Sequence, residues 1–452
     1  MALPVMPGSR GLPMLLGYSC VHVGKSLLWA GEDALTLYIM VRFLALPPAL
    51  AGAIFLASAL WNALCDGLIG AALHRSAWLR RRMPLLSVPA ILASALGFAV
   101  LPLAAQHSAW WVAGLLLLFR TGFSLADVPH NGLTRLLAGD GQHLRAARIR
   151  AIGSAGAALV IGLVCVAMLN PSDNARSTVA LLAGGIALAA LVLMAPLPFL
   201  LAADRESRDK LSIDERAGPF GNHALWIYCG ATMLGLAGLG ATGKALLHLD
   251  FVARGIGPAA LLLATTGRLG SIWIWSPVAL RIGNRTALGL AYVASSAAAL
   301  LLPWLAGAAG LSVVFLLILF GVAGGGVALL SWAVLTETID RRLPADRPGF
   351  TAAFGMFTMC MKVALGLAAV LVGGWLWASD ASVNADPAKF WSLGLLVALA
   401  CGLAGGIITL SKTARRRPSR SLAPAAGQST RASVPASQLP SHATKPARSA
   451  AS

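Results

Sequence analysis

Long apolar runs recur along nearly the whole of this sequence. Each has at least the roughly 20 residues that a helix needs to cross a hydrocarbon core about 30 Å thick. Of the 452 residues, 58% are hydrophobic and only 12% are charged, so a soluble fold could not hide its apolar surface from water. The chain is therefore expected to lie in a lipid bilayer, which argues against a large soluble helical protein.

The composition of the runs favours helices over a β-barrel. A chain in lipid must satisfy its own backbone hydrogen bonds, which leaves only helices and closed barrels. The runs are continuous and rich in Leu, Ala and Gly rather than alternating in polarity, as the strands of a barrel would be. We predict an all-α polytopic membrane protein.

The interruptions between the runs divide the chain into two sets of six. A polar connection at residues 203–223 separates two six-helix halves, at 1–202 and 224–410, and a basic tail at 411–452 is expected to be disordered. This layout is typical of the major facilitator fold, whose halves rock around a site at the membrane midplane. The predicted spans are residues 12–46, 48–73, 85–105, 109–133, 149–169, 178–202, 224–247, 258–280, 287–306, 311–335, 350–377 and 390–410.

Basic residues predict the orientation and explain the formal net charge of +18. They follow the second, fourth and tenth runs, so those loops and both termini are expected on the cytoplasmic side of the inner membrane. The tail is expected to touch anionic membrane lipids, and no nucleic-acid partner is needed to explain the charge. The loop residues are His74, Arg75, Arg80, Arg81, Arg82, Arg135, Arg145, Arg148, Arg341, Arg342 and Arg347.

Ionisable side chains inside the runs are the first candidates for function. Placing such a charge in a spanning helix costs about 2.5–3.5 kcal/mol on insertion scales. For each of them the alternative is an ion pair that only fixes packing, or a side chain that reaches the membrane surface. The set is Lys25, Glu32, Asp33, Arg42, Asp66, Arg120, Asp127, Arg150, Lys244, Arg268 and Lys362.

Helical periodicity places some of these residues beside polar neighbours. Residues four apart share one face of a helix, which pairs Asn62 with Asp66 and Thr358 with Lys362. A carboxylate with oxygen-bearing neighbours can hold a proton or a small hard cation. We predict that Asp66 binds a coupling ion, and that Lys362 neutralises Asp66 or Asp127 when the ion leaves.

Four blocks of sequence carry a resemblance to a known family. They read GYSCVHVGKS with LPPALAGAIFLASALWNALCDGLIG, SLADVPHNGL, LLSWAVLTETID and FGMFTMCMK. In the same order they resemble the first two, the fourth, the tenth and the eleventh helices of the glycoside-pentoside-hexuronide cation symporters, the melibiose-permease-like branch of the major facilitator superfamily.

The resemblance implies a coupling-ion site that this sequence keeps in part. In the family, two acids and a polar side chain of the second helix, with a hydroxyl of the fourth, hold sodium. This chain keeps Asp66 and the hydroxyl, Ser124, but has Asn62 for the first acid and Cys65 for the polar neighbour. A weak sodium site at Asp66 is the most that this set implies, whereas a single membrane carboxylate can still carry a proton.

The resemblance also implies a substrate site that departs from the family pattern. The family has an acid after Lys25, where Ser26 stands, and an aromatic ring for sugar stacking four residues after Asp127, where Asn131 stands. Asp33, on the same helical stripe as Ser26, could replace the missing acid. The candidates for substrate binding are Lys25, Ser26, Asp33, Asp127, Asn131 and Arg150.

These features predict a secondary active transporter that moves a small polar solute, a sugar or glycoside, in symport with a cation, with a proton favoured over sodium. A carrier of a lysophospholipid or drug-like amphiphile with the same fold is the alternative. A membrane enzyme or a non-transporting scaffold comes from another class, but the sequence contains no H-E-x-x-H, G-x-S-x-G or P-loop pattern. No cofactor is expected, and we predict a monomer.

Overall fold

The structure, a computed structural model, describes residues 11–104, 108–134, 143–168, 175–208, 223–246, 257–301, 304, 311–340, 349–378 and 387–411. Within these residues every regular element is helical and there is no strand, as predicted. The α-helices are α1 (Gly11–Tyr38), α2 (Pro48–Arg75), α3 (Ala77–Val100), α4 (Ala109–Gly132), α5 (His143–Met168), α6 (Ala175–Met194), α7 (Leu197–Arg208), α8 (His223–Leu246), α9 (Gly257–Ile282), α10 (Asn284–Leu301), α11 (Leu311–Asp340), α12 (Gly349–Ala378) and α13 (Pro387–Leu410).

Among the described residues, nine helical segments are long and apolar enough to cross a membrane. One of them joins α6 and α7. The other three predicted spans correspond to α1, α9 and α10, which are helical but are not among these nine. The outer surface fits a lipid environment, because large apolar side chains such as Leu85, Leu181 and Leu311 are 70%, 78% and 86% exposed. The lipid-facing surface carries the apolar side chains that a soluble protein would bury.

Two predicted spans break where the local chemistry opposes a regular helix. The sixth is interrupted by a turn at Ala195 and Pro196, because proline lacks the backbone N–H that would continue the helix. The first was expected to reach residue 46, but α1 ends at Tyr38 and continues as one π-helical turn over Ile39–Phe43. Ala45 then takes a φ of 53°, which turns the chain before α2.

Two expected loops are partly helical. The loop after the second run shrinks to Ser76, whose hydroxyl accepts the N–H of Leu79 at 3.1 Å and caps α3, so Arg80–Arg82 lie in a helix. The connection predicted at 203–223 begins later, because α7 continues to Arg208. Residues 209–222 and the tail beyond Ser411 lie outside the described residues.

Glycines bring helices of opposite halves into close contact, with α2 packed along α12 and α5 along α9. A Cβ on Gly70 of α2 would lie 3.4 Å from the Cα of Gly355 on α12, and a Cβ on Gly355 would lie 2.9 Å from the backbone oxygen of Asp66. The absence of side chains at Gly70 and Gly355 therefore sets the approach of the two helices beside the Asp66 carboxylate.

We expect Gly355→Val to lower the free energy of unfolding by about 1–3 kcal/mol, because the added methyl groups would press on the Asp66 backbone. Thermal unfolding in detergent, followed by intrinsic fluorescence, measures the change. Gly374→Val on the same helix is the control, since a Cβ there meets nothing within 4 Å. Equal stability of the two variants would show that α2 and α12 are not in close contact at this point.

Candidate functional site

A cavity of about 360 Å³ lies between the two halves. Helices α1, α4 and α5 line it from the first half, and α8, α9, α11 and α12 from the second. On one side its lining reaches Leu246, the last residue of α8. Towards the other end of the bundle, Arg148 of α5 donates to the hydroxyl of Ser276 on α9 at 2.8 Å and joins the halves.

Arg150 of α5 is held in the cavity wall by neutral partners. Its guanidinium donates to the Tyr18 hydroxyl at 2.8 Å, to Thr134 Oγ1 at 3.0 Å and to Asn131 Oδ1 at 2.9 Å. Its central carbon lies 3.8 Å from the ring centre of Trp332 on α11, a cation–π contact between the halves. Hydroxyls, an amide and a ring orient this charge, and none of them neutralises it.

Lys25 joins α1 to two polar residues of α4. Its ammonium lies 2.5 Å from Asp127 Oδ1 and 2.6 Å from Asn131 Oδ1. Asn131 Oδ1 therefore accepts from both Lys25 and Arg150. The structure thus brings four of the predicted substrate-binding residues into one hydrogen-bonded network, in which Asn131 takes an acceptor role.

Asp66 of α2 is fully buried behind Lys362 of α12. The Lys362 ammonium lies 2.6 Å from Asp66 Oδ1, 2.9 Å from Asn62 Oδ1 and 3.9 Å from Asp127 Oδ2. Ser124 of α4 donates to Asn62 Oδ1 at 2.6 Å. Lys362 lines the cavity whereas Asp66, Asn62 and Ser124 do not, so the lysine stands between the buried carboxylate and the cavity.

The ammonium of Lys362 occupies the position next to Asp66 that a bound cation would need. Within the described part of the chain, no group of three or more His, Cys, Asp or Glu side chains could hold a metal ion. Asp66 Oδ2 is buried without a hydrogen-bond partner there. The arrangement is a carboxylate with one ammonium partner and one free oxygen, which suits the gain and loss of a proton.

The remaining predicted residues line the same cavity with different contacts. Ser26 lies 3.4 Å from the hydroxyl of Ser154 on α5. The Lys244 ammonium of α8 lies 2.5 Å from Asp33 Oδ1 of α1, so this ion pair joins the two halves. Thr358, one turn before Lys362 on the same helix, donates to the carbonyls of Phe354 and Gly355.

Glu32 and Arg120 form an ion pair away from the cavity. Their atoms lie 2.6 Å apart, both side chains are 1% exposed, and Arg120 packs against the rings of Trp29 and Phe55. Neither residue lines the cavity. The ion pair matches the alternative that the sequence left open for each of these residues, a contact that only fixes packing.

Sequence reasoning overlooked several uncharged members of the site. Tyr18 and His22 lie on the face of α1 that carries Lys25, and the rings of Tyr18 and His130 stack 4.5 Å apart. The spacing of residues 18, 22 and 25 on α1, and of 127 and 131 on α4 with 134 just beyond its end, follows one helical face and could have revealed them. Trp332 gives no such signal, because its role depends on how the halves meet.

The chain is similar to known transport proteins over most of its length. A family model described as MFS/sugar transport protein matches residues 17–409. No curated protein matches the sequence. Among solved structures, the nucleoside transporter NupG is 17% identical, with 88% of this chain and 99% of that chain covered and a TM-score of 0.60.

Two further solved structures share this fold. A bacterial homologue of the iron transporter ferroportin, in an outward-facing state, is 16% identical, with coverage of 87% and 98% and a TM-score of 0.60. The E. coli fucose:proton symporter FucP is 12% identical, with coverage of 90% and 100% and a TM-score of 0.55. At these identities the likeness shows the fold alone.

Proposed function

This chain belongs to the MFS/sugar transport protein family, and from that premise we propose that it moves a small polar solute through its central cavity in symport with a proton. The solute, a sugar or glycoside in this proposal, binds between the halves, which then rock to expose it to the other side. The inner-membrane location and the cytoplasmic position of both termini stay predictions. If the termini are cytoplasmic, the cavity extends towards the periplasm, because its lining reaches the end of α8.

The single observation that carries this proposal is the place of Lys362 between two carboxylates. It is 2.6 Å from Asp66 and 3.9 Å from Asp127. Asp66 and Asp127 belong to the first half and Lys362 to the second, so the ion pair also joins the halves. A change of charge at Asp66 therefore acts both on the interface and on the wall of the cavity.

Protonation of Asp66 supplies the coupling step. The proton joins a carboxylate oxygen and makes the side chain neutral, which removes its attraction for the Lys362 ammonium. Asp127 is then the nearest carboxylate, and Lys362 moves towards it and away from α2. The link between α2 and α12 weakens, and loss of the proton on the other side restores it.

Uptake by proteoliposomes of the purified full chain, run against a panel of radiolabelled solutes, tests the transport claim. The panel holds neutral sugars, glycosides, acidic sugars, nucleosides and a lysophospholipid. We expect saturable uptake of a sugar or glycoside above that of protein-free liposomes. Uptake of no member of the panel would contradict the proposal.

A carrier of an amphiphile is the second candidate, and one observation favours it. Most of the residues that line the cavity from the second half are apolar or glycine, although three cations also line it from that half. The larger apolar side chains of this wall include Leu236, Leu239, Leu246, Leu261, Phe320 and Leu365. Saturable transport of the lysophospholipid and of no sugar would favour this candidate over the first.

We expect Asp127→Asn to weaken solute binding by at least about tenfold without unfolding the protein. The loss of a charge-assisted hydrogen bond costs about 1.5–3 kcal/mol, and this carboxylate positions Lys25 in the cavity wall. Titration of the solute that the panel identifies, combined with thermal unfolding in detergent, separates the two effects.

Glu337→Gln is the matched control for this change, because Glu337 is an acid of α11 that does not line the cavity. It should keep the affinity of the parent protein. If Asp127→Asn also keeps that affinity, Asp127 serves only as a structural partner of Lys25.

A further inference from the structure

The cavity carries an excess of positive charge. Five cationic side chains line it against two carboxylates, Asp33 and Asp127, with Asp66 behind Lys362 as a third. Two positive charges are therefore left without a carboxylate in this part of the chain. The five cations are Lys25, Arg150, Lys244, Arg268 and Lys362.

The lysines and the arginines that line the cavity differ in whether a carboxylate pairs with them. Each lysine of the cavity forms an ion pair with a different carboxylate. Lys25 pairs with Asp127 at 2.5 Å and Lys244 with Asp33 at 2.5 Å. Lys362 pairs with Asp66 at 2.6 Å. Within the part of the chain that the structure describes, Arg150 has only neutral hydrogen-bond partners. Among the described residues the Arg268 guanidinium has no hydrogen-bond or ion-pair partner, and it feels the charge of Asp33 only at longer range.

Arg268 is presented to the cavity by a firmly packed helix. Side chains added at Gly321 or Gly325 of α11 would collide with the α9 backbone at Ala264 and Arg268. The close approach of α9 and α11 therefore fixes the backbone that carries Arg268. The backbone that carries Arg268 is therefore held, while its guanidinium, without a side-chain partner in the described part of the chain, is available to a ligand.

An uncompensated guanidinium in a low-dielectric cavity is costly unless an anion joins it. Its planar donors match the two oxygens of a carboxylate or phosphate. We infer that the transported solute carries such an anionic group and that Arg268 binds it. This inference rests on the proposed function and narrows the solute to a small polar organic anion.

Three probes of one sugar skeleton test this inference: galactose, galacturonate and galactose 6-phosphate. Binding of each to the purified full chain in detergent is measured by titration calorimetry. We expect galacturonate or galactose 6-phosphate to bind at least about tenfold more tightly than galactose, as expected for one charge-assisted contact. Which of the two anions binds better tells whether the site suits a carboxylate or a phosphate.

Arg268→Gln should lower the affinity for the preferred anion by at least about tenfold and so remove its advantage over galactose, whereas Arg268→Lys should keep part of the preference. Arg281→Gln is the matched control, because Arg281 is an exposed residue of the same helix outside the cavity lining. The inference is overturned if neither anion binds more tightly than galactose to the parent protein, or if Arg268→Gln keeps the preference.

The outcomes for this inference and for the proposed function can be told apart. Proteoliposomes that take up neutral sugars without preferring anions would leave the transport function intact and remove the role of Arg268. Anion binding that depends on Arg268, in a protein that moves no solute in proteoliposomes, would keep the binding site and contradict the transport function.

Discussion

Proteoliposomes that contain Asp66→Asn should lose all accumulation of solute driven by a pH gradient while they still exchange solute across the membrane. Asparagine is permanently neutral and so mimics the protonated carboxylate. In the parent protein the Lys362 ammonium lies 2.6 Å from Asp66. In the variant, gain or loss of a proton can no longer break and restore this ion pair. Binding and movement of solute continue, but the proton no longer determines which conformations are accessible.

Two measurements on the same vesicles check this expectation. Counterflow of labelled against unlabelled solute reports exchange, and uptake under an imposed pH gradient reports accumulation. Glu337→Gln, an acid-to-amide change outside the cavity, should retain both. If Asp66→Asn accumulates solute as well as the parent protein does, Asp66 is not the coupling site, and Asp33 or Glu32 on α1 becomes the next candidate.

Lys362→Gln should destabilise the protein by about 3–5 kcal/mol. The change removes the cation that pairs with Asp66 among the described residues. Asp66 has no exposed surface, and an uncompensated buried charge carries a penalty of that size. The free energy of unfolding in mixed detergent and denaturant measures the loss.

The double variant Asp66→Asn with Lys362→Gln isolates the cause. It removes both charges, so it should recover most of the lost stability while it remains unable to accumulate solute. A double variant as unstable as Lys362→Gln alone would show that the lysine stabilises the protein through contacts other than the ion pair, such as its approach to the ring of Phe123 at 5.2 Å.

The all-α fold and its spans could be predicted from the sequence because the lipid imposes the signal directly. Every span must be apolar over a known length, so hydropathy and interruptions are sufficient. The helix ends were less accurate. The π turn over Ile39–Phe43 and the break at Pro196 depend on a few local hydrogen bonds, and hydropathy does not register them.

The site was predictable where partners share a helix or follow a known motif. The grouping of Asp66, Asn62, Ser124 and Lys362 came from spacing and resemblance, and the structure brings their polar atoms together. Thr358 shares a face with Lys362 but bonds to its own helix, because a buried threonine hydroxyl readily finds a carbonyl one turn back.

Contacts between distant helices could not be predicted from one sequence. Asp33 and Lys244 are 211 residues apart, and Lys25 and Asp127 are 102 apart. Each of these pairings depends on how helices of one half, or of both halves, pack against each other, and local spacing carries no information about that packing. For the same reason the contact of Arg150 with Trp332 could not be predicted from the sequence.

Proton-coupled transport through the central cavity is tested most directly by gradient-driven uptake in proteoliposomes of the parent protein. The solute found by the panel is offered with an inward proton gradient, with an inward sodium gradient, or with neither. We predict accumulation above the external concentration with the proton gradient alone, and its collapse when a protonophore is added. Accumulation driven by sodium alone, or mere equilibration under every gradient, would contradict the account.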